Sequence, residues 1–207
     1  MPSPPPPPGP PPTLETPRLR LRPFVAGDAP TVERLAGAWA VADTTLTIPH
    51  PYPEGAAATW IATHAPAWAS GAGVTYAITA AADRTLVGAV GLALTPAHAA
   101  AELGYWVAAD AWGRGYATEA AAALCAYAFA ALGVHRIEAR HFVRNPASGR
   151  VMHKLGMRRE GVLRAAVRRW GRFEDLAVYA VLAPAWDARG DARVLDGRDD
   201  AYAEPRA

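Results

Sequence analysis

The sequence has one cysteine, Cys125, and one lysine, Lys154, in 207 residues. A single cysteine excludes an intramolecular disulfide and a cysteine-based zinc cluster, and it suits a reducing compartment, here the cytoplasm. Cys125 sits among alanines and reads as a packed helix residue. No apolar run approaches the ~20 residues that a membrane helix needs, so no membrane partner is expected. No excess of one charge is present either: 21 basic and 19 acidic residues leave a formal charge of +2, and the basic residues are scattered. That pattern argues against direct nucleic-acid binding. No His/Asp/Glu group has metal-ligand spacing, so no metal is predicted. The preference for arginine over lysine, with alanine throughout, fits GC-rich codon usage and receives no catalytic meaning.

With a hydrophobic fraction of 51%, the chain can bury one good core and has little room for a second domain. Residues 1–13, almost pure proline from Pro2 to Pro12, lack the basic and apolar regions of a signal peptide and read as a disordered polyproline II tail. Residues 187–207 mix Asp, Arg, Gly and Ala with few large apolar side chains and read as a second disordered tail. The folded unit is expected over residues 14–186.

Within that unit Arg18 to Arg22 alternates strictly and predicts a strand. Asp28 reads as a helix cap, ahead of a helix to Ala42 carrying Val32, Leu35 and Trp39; a second helix runs from Glu54 to Ala69. Strands follow at Val74–Ala80, Leu86–Leu94 and Ala100–Ala108, the first two joined at Asp83–Arg84. Next come a long helix from Ala117 to Gly133, a strand Arg136–Val143, a short helix Pro146–Leu155, and two strands meeting near Gly171. This order predicts an α/β fold with a mixed sheet, neither a barrel nor a doubly wound fold.

The most informative stretch is Tyr105 to Ala120, where a strand enters a helix through Trp112-Gly113-Arg114-Gly115-Tyr116-Ala117-Thr118. Gly113 and Gly115 let the backbone approach an anion, and the first helix amides from Gly115 to Thr118 are free to donate to phosphate. An ordinary connecting turn reads the same way. A dinucleotide fingerprint fits less well, because Thr118 occupies the third glycine position and the preceding strands pair as hairpins.

The run Gly-Tyr-Trp-Val, a spacer, and Trp-Gly-Arg-Gly-Tyr-Ala-Thr-Glu-Ala resembles motif A of the GNAT acetyltransferases, in the branch containing the ribosomal-protein N-terminal acetyltransferases. The opening Leu-Glu-Thr-Pro-Arg-Leu-Arg-Leu-Arg-Pro-Phe, Glu102-Leu-Gly-Tyr105, Asn145-Pro-Ala-Ser148 with Lys154-Leu-Gly-Met157, and Gly171-Arg-Phe-Glu-Asp175 are similar in order and spacing. Trp112 stands where the wider superfamily usually has Gln or Arg, which removes one side-chain contact. The resemblance implies a mostly antiparallel central sheet flanked by helices on both faces over residues 14–186. It also implies acetyl-CoA as co-substrate, its pyrophosphate on the amides from Gly113 to Ala117 and its pantetheine arm beside Trp106 and Val107. Trp112, Arg114, Tyr116, Thr118, Asn145 and Arg150 complete the implied binding set.

A thioester carbonyl gains negative charge as an amine attacks, so a backbone N–H near Val107 would serve as an oxyanion donor. Glu102 is the candidate base, on the same strand face as Gly104 and Trp106; an exposed ion-pair partner of an arginine reads equally well. Asn145 before Pro146 is also an ordinary helix cap. Ser148 could protonate the departing thiolate, although serine in a first helical turn is common. Tyr105 and Tyr116 read as packing residues, Trp39, Trp60 and Trp68 as core, and Arg164, Arg168, Arg169 and Arg172 as a solvated hairpin face. In the family the loop holding His50 borders the acceptor. The expected function is acetyl transfer to a primary amine by direct attack, on the N-terminal α-amine of a protein such as a ribosomal protein, by a monomer or homodimer. A small amine such as a polyamine or aminoglycoside, or a non-catalytic acyl-CoA sensor, is the alternative.

Overall fold

The computed structural model describes residues 9–187. The tails expected over 1–13 and 187–207 fall outside that range except at residues 9–13 and 187. The short strand β1 (Leu14–Glu15), absent from the sequence reading, pairs antiparallel with β2 (Leu19–Pro23). Alternation along β2 buries Leu19 and Leu21 completely, as its pattern requires.

A 3₁₀ turn leads to α1 (Ala29–Ala36), then α2 (Trp39–Asp43), so the single helix expected to Ala42 is broken. The break falls at Gly37, where Tyr52 packs against the backbone so closely that a Cβ would lie 2.8 Å from the Tyr52 Cβ. Asp28 precedes α1, yet its side chain does not cap it. Both carboxylate oxygens accept instead from Arg22, at 2.7 Å each, and Oδ2 also accepts from Val25 N–H. The second expected helix is likewise two, α3 (Ala56–Ala62) and α4 (His64–Ala69). Restarting at His64 puts Pro66 in a first turn, where a missing N–H costs nothing.

The remaining elements are β3 (Gly73–Ala80), β4 (Leu86–Thr95), β5 (Ala100–Val107), α5 (Tyr116–Ala131), β6 (Arg136–Phe142), α6 (Pro146–Lys154), β7 (Arg158–Arg169), β8 (Arg172–Leu182) and α7 (Ala183–Asp187). One eight-stranded sheet runs in the order β1-β2-β3-β4-β5-β6-β8-β7, antiparallel except where β5 meets β6. The mixed, mostly antiparallel sheet flanked by helices is the expected architecture.

Each sheet face has its own core. Leu21, Tyr76, Val90 and Leu103 pack with Leu124 and Cys125 of α5 and Met152 of α6 on one face, and Ala77, Ala89 and Trp106 pack with Val32 and Ile61 on the other. Cys125 is buried, as expected of a packed helix residue, and burial pushes its thiol up to about 12. Among the described residues no helix is long and apolar enough to cross a membrane.

Candidate active site

The site begins where the sheet opens. β5 and β6 pair from Ala100↔Arg136 to Leu103↔Ala139, after which both strands continue but no longer pair. Ala108 N–H donates to Val87 on the β4 side. Strand alternation therefore turns the amides of Tyr105 and Val107 the other way, toward the gap left by β6. The sequence singled out the Val107 amide; the Tyr105 amide shares its orientation.

At the end of β5 the chain makes a 3₁₀ turn and passes through Gly113 (φ +75°) and Gly115 (φ +79°) into α5. Both glycines adopt the left-handed region that a Cβ disfavours. Gly113, Arg114 and Gly115 are exposed, while Thr118 is buried. Of the first α5 amides, the helix geometry leaves those of Tyr116, Ala117 and Thr118 without an intrahelical acceptor.

Three side chains hold this turn. Trp112 Nε1 donates to Val107 O at 2.7 Å, tying the turn back to the end of β5. Arg114 folds over the surface, its Nη2 donating to Asp110 O. Arg18 Nη1 donates to Arg114 O at 2.9 Å while its Nε donates to Glu119 Oε2 at 2.7 Å, and its guanidinium lies 5.3 Å from the Tyr116 ring centroid. Trp112 thus serves as a structural tie, and the sequence assigned neither Arg18 nor Glu119 a role at this turn. Their partnership spans 101 residues, so no local pattern could signal it.

Side chains from both sheet faces converge on the gap. Glu102 and Gly104 lie on the face opposite Leu103 and Tyr105, and the Glu102 side chain is half exposed, 3.9 Å from Arg140 Nε. Trp106, on the Glu102 face, is packed into the core beneath α1 and α3. On the other face, Asn145 caps α6: its Oδ1 accepts from Ser148 N–H at 3.3 Å. Ser148 Oγ lies 2.8 Å from Tyr105 Oη, so the tyrosine expected only to pack makes a polar contact with α6. Burial beside Cys125 pushes the Tyr105 phenol well above its ordinary value. Arg150 is exposed on α6. His141 Nδ1–H donates to Phe142 O at 2.8 Å, and Nε2 is buried 2.9 Å from where a Cβ on Gly149 would stand.

Beyond the open end of the gap, the loop 44–53 meets the β7–β8 turn. Trp39, expected in the core, is 50% exposed; its ring lies 4.9 Å from that of Trp170 and 5.1 Å from that of His50. The tryptophan ends up outside because α1 stops at Gly37, which rotates the following residues away from the α1 stripe. Trp68 is buried, its Nε1 donating to Gly9 O at 2.7 Å, and Trp60 packs at the edge of the second core. His50 Nδ1 pairs with Gly37 O at 2.9 Å. Arg169 stacks on Trp170, with its guanidinium 4.0 Å from the ring centroid, and donates to Ile48 O, so it locks the loop to the hairpin. Carboxylates here are paired: Asp43 and Glu174 both bind Arg144 and Arg172, and Glu138 binds Arg136 and Arg140.

The acetyltransferase (GNAT) domain model matches residues 18–158. The N-acetyltransferase YoaA of Bacillus subtilis is 36% identical over 113 residues, which cover 54% of this chain and 64% of YoaA, so the match spans less than two thirds of that relative. Among solved structures, RimJ of Mycobacterium smegmatis in complex with CoA-disulfide superposes with a TM-score of 0.71 at 26% identity, covering 83% of this chain and 89% of RimJ. A GNAT-family acetyltransferase from Bacillus anthracis gives a TM-score of 0.73 at 25% identity, over 83% of this chain and 99% of that one. With most of the described fold inside the matched range, and with the open sheet and glycine turn in place, the chain belongs to the GNAT acetyltransferase family.

Proposed function

We propose that this chain transfers the acetyl group of acetyl-CoA to a primary amine by direct attack, and that the acceptor is the N-terminal α-amine of a polypeptide. The observation that carries the reading is the parting of β5 from β6 after Leu103, directly upstream of the glycine turn. A pyrophosphate fits the amides from Gly113 to Ala117, with Thr118 N–H beside them, and the helix dipole adds ~0.3–2 kcal/mol. The exposed Arg114 and Arg150 supply charge nearby, Tyr116 and Trp112 shape the turn, and Asn145 serves the α6 cap and the pantetheine arm. Trp106 contributes through packing beneath β5, which leaves the pantetheine contact to Val107.

Acetyl-CoA supplies an activated thioester carbonyl. The amides of Tyr105 and Val107 face the gap and suit the carbonyl oxygen as it gains charge, an interaction worth about 2.7–4 kcal/mol when preorganised. Glu102 on one face and Ser148 on the other divide the proton work: Glu102 draws a proton from the amine side and Ser148 donates to the sulfur side. At pH 7 roughly a tenth of α-amines are uncharged, against well under a thousandth of lysine amines, which favours the α-amine under direct attack.

Charge pairing also favours a polypeptide over a polyamine. A polycation needs unpaired carboxylates, whereas Asp43, Glu174 and Glu138 are each held by two arginines. A polypeptide acceptor is also supported by similarity to the putative ribosomal N-acetyltransferase YdaF of Bacillus subtilis, 33% identical over 106 residues, which cover 51% of this chain and 58% of YdaF. Coenzyme A release should be followed with peptides bearing free Ala, Ser, Thr or Met amino termini, N-blocked peptides with internal lysine, polyamines and aminoglycosides. Turnover confined to the free amino termini is expected. Turnover only on small amines would reassign the acceptor, and coenzyme A binding without any turnover would make the protein a sensor.

A further inference from the structure

Tyr105 and Ser148 approach the gap from two different elements, β5 and α6, 43 residues apart. Their oxygens are 2.8 Å apart, while Tyr105 Oη lies 3.2 Å from Ser148 O. A phenol has one hydrogen to give. The Ser148 carbonyl lies inside α6, where the helix ladder already supplies it a donor four residues on, so the shorter contact to Oγ is the better use of that hydrogen. A phenol is also a stronger acid than an alkyl hydroxyl, which makes the tyrosine the donor and the serine the acceptor of this bond.

Once Ser148 Oγ accepts from Tyr105, its own hydrogen must point elsewhere. Its backbone N–H is committed to Asn145, so the serine is fixed at both its main chain and its hydroxyl. We infer that Tyr105 is a positioning residue for acetyl transfer: by donating to Ser148 Oγ it frees the serine hydrogen and aims it into the gap between β5 and β6, where the thiolate departs. This inference rests on the acetyl-transfer reading above. In the step concerned the amine nitrogen bonds to the acetyl carbon, the carbon–sulfur bond breaks, and its electron pair goes to sulfur. Ser148 O–H donates to that sulfur as charge builds. The sulfur ends with the Ser148 proton, Ser148 recovers one from solvent, and the proton lost by nitrogen goes to Glu102 or solvent, so the count closes on an amide, a free thiol and an unchanged serine. Tyr105 keeps its proton throughout, consistent with the buried phenol remaining protonated.

The contact predicts a specific kinetic pattern. Tyr105→Phe removes one hydrogen bond and keeps the ring, so kcat should fall about tenfold while KM for acetyl-CoA stays within about twofold. Ser148→Ala should lower kcat at least as much. The decisive variant is the double substitution, Tyr105→Phe with Ser148→Ala, measured with acetyl-CoA and a free-amino-terminal peptide beside thermal unfolding of all four proteins. If Tyr105 acts through Ser148, the double variant turns over at the Ser148→Ala rate. Wild-type kcat in Tyr105→Phe, or losses that multiply in the double variant, would overturn the inference while leaving acetyl transfer standing. A wild-type protein that turns over no amine would instead overturn the underlying reading.

Discussion

Arg18 and Glu119 close the glycine turn between β5 and α5 from behind. Arg18 Nη2 lies 2.6 Å from Glu119 Oε2, while its Nη1 holds the Arg114 carbonyl between the two glycines. Glu119 is 5% exposed and also accepts from Thr16 Oγ1 and Arg18 N–H, so one carboxylate joins the β1–β2 turn to the first turn of α5. Removing one partner of a buried pair typically costs ~3–5 kcal/mol. Because Arg18 is half exposed, Glu119→Ala should cost less, about 2 kcal/mol, read by urea denaturation. Arg18→Ala strands the buried Glu119 carboxylate, so it should also cost stability, and it should weaken coenzyme A binding several-fold in a calorimetric titration. Unchanged affinity would detach this pair from the cradle.

Gly115 begins α5 with φ +79°, and a Cβ there would stand 3.3 Å from Arg18 Nη2. Gly115→Ala therefore meets backbone strain of about 1–2 kcal/mol and crowds the amides proposed to hold the pyrophosphate. Coenzyme A affinity should drop by at least tenfold in the same titration, with a smaller loss of stability. Gly171, also at positive φ but in the β7–β8 turn, is the control; alanine there should cost stability and spare cofactor affinity.

Trp39 stands exposed against Trp170, where the loop 44–53 meets the hairpin. Trp39→Ala should cost about 0.5–1.5 kcal/mol from the lost aromatic pair. Its larger effect should be on KM for the acceptor peptide, with KM for acetyl-CoA unchanged. Equal changes in both would mean that the tryptophan supports the whole site and not the acceptor end.

His64 is packed against Phe24 and Trp60, both of its ring nitrogens are buried without a hydrogen-bond partner, and burial lowers its pKa to about 4. The unfolded chain, with histidine near 6.5, binds more protons than the folded protein between these values. Stability from this residue is thus fully present above pH 6.5 and is lost as pH falls toward 4. His141, whose pKa burial also lowers, adds to the loss on the same side. Melting temperatures recorded from pH 7.5 to 4 should fall through this window, and His64→Leu should flatten the profile. A profile of unchanged slope in that variant would remove His64 as the cause.

The parts of the site legible in the sequence were those encoded by neighbours in the chain. Alternation gave β2 and β5, glycines gave the turn at Gly113 and Gly115, and Asn145-Pro146 gave a cap that does accept from Ser148 N–H. Contacts across the fold were not legible. Asp28 looked like a cap, but Arg22 on the adjacent strand reaches it and takes both oxygens. Trp39 reads as core in the sequence because its spacing continues the Val32–Leu35 stripe, which the break at Gly37 interrupts. The phenol of Tyr105 finds its partner only once α6 is laid beside β5, and the parting of β5 from β6 is a property of pairing that no single strand records.

The most direct test of acetyl transfer to an α-amine uses a lysine-free peptide with an unblocked amino terminus, incubated with acetyl-CoA and the full chain and read by tandem mass spectrometry. One acetyl group on the first residue, reduced by Glu102→Gln and absent without enzyme, is the predicted result. A peptide left unmodified while spermidine in the same mixture is acetylated would contradict the polypeptide acceptor.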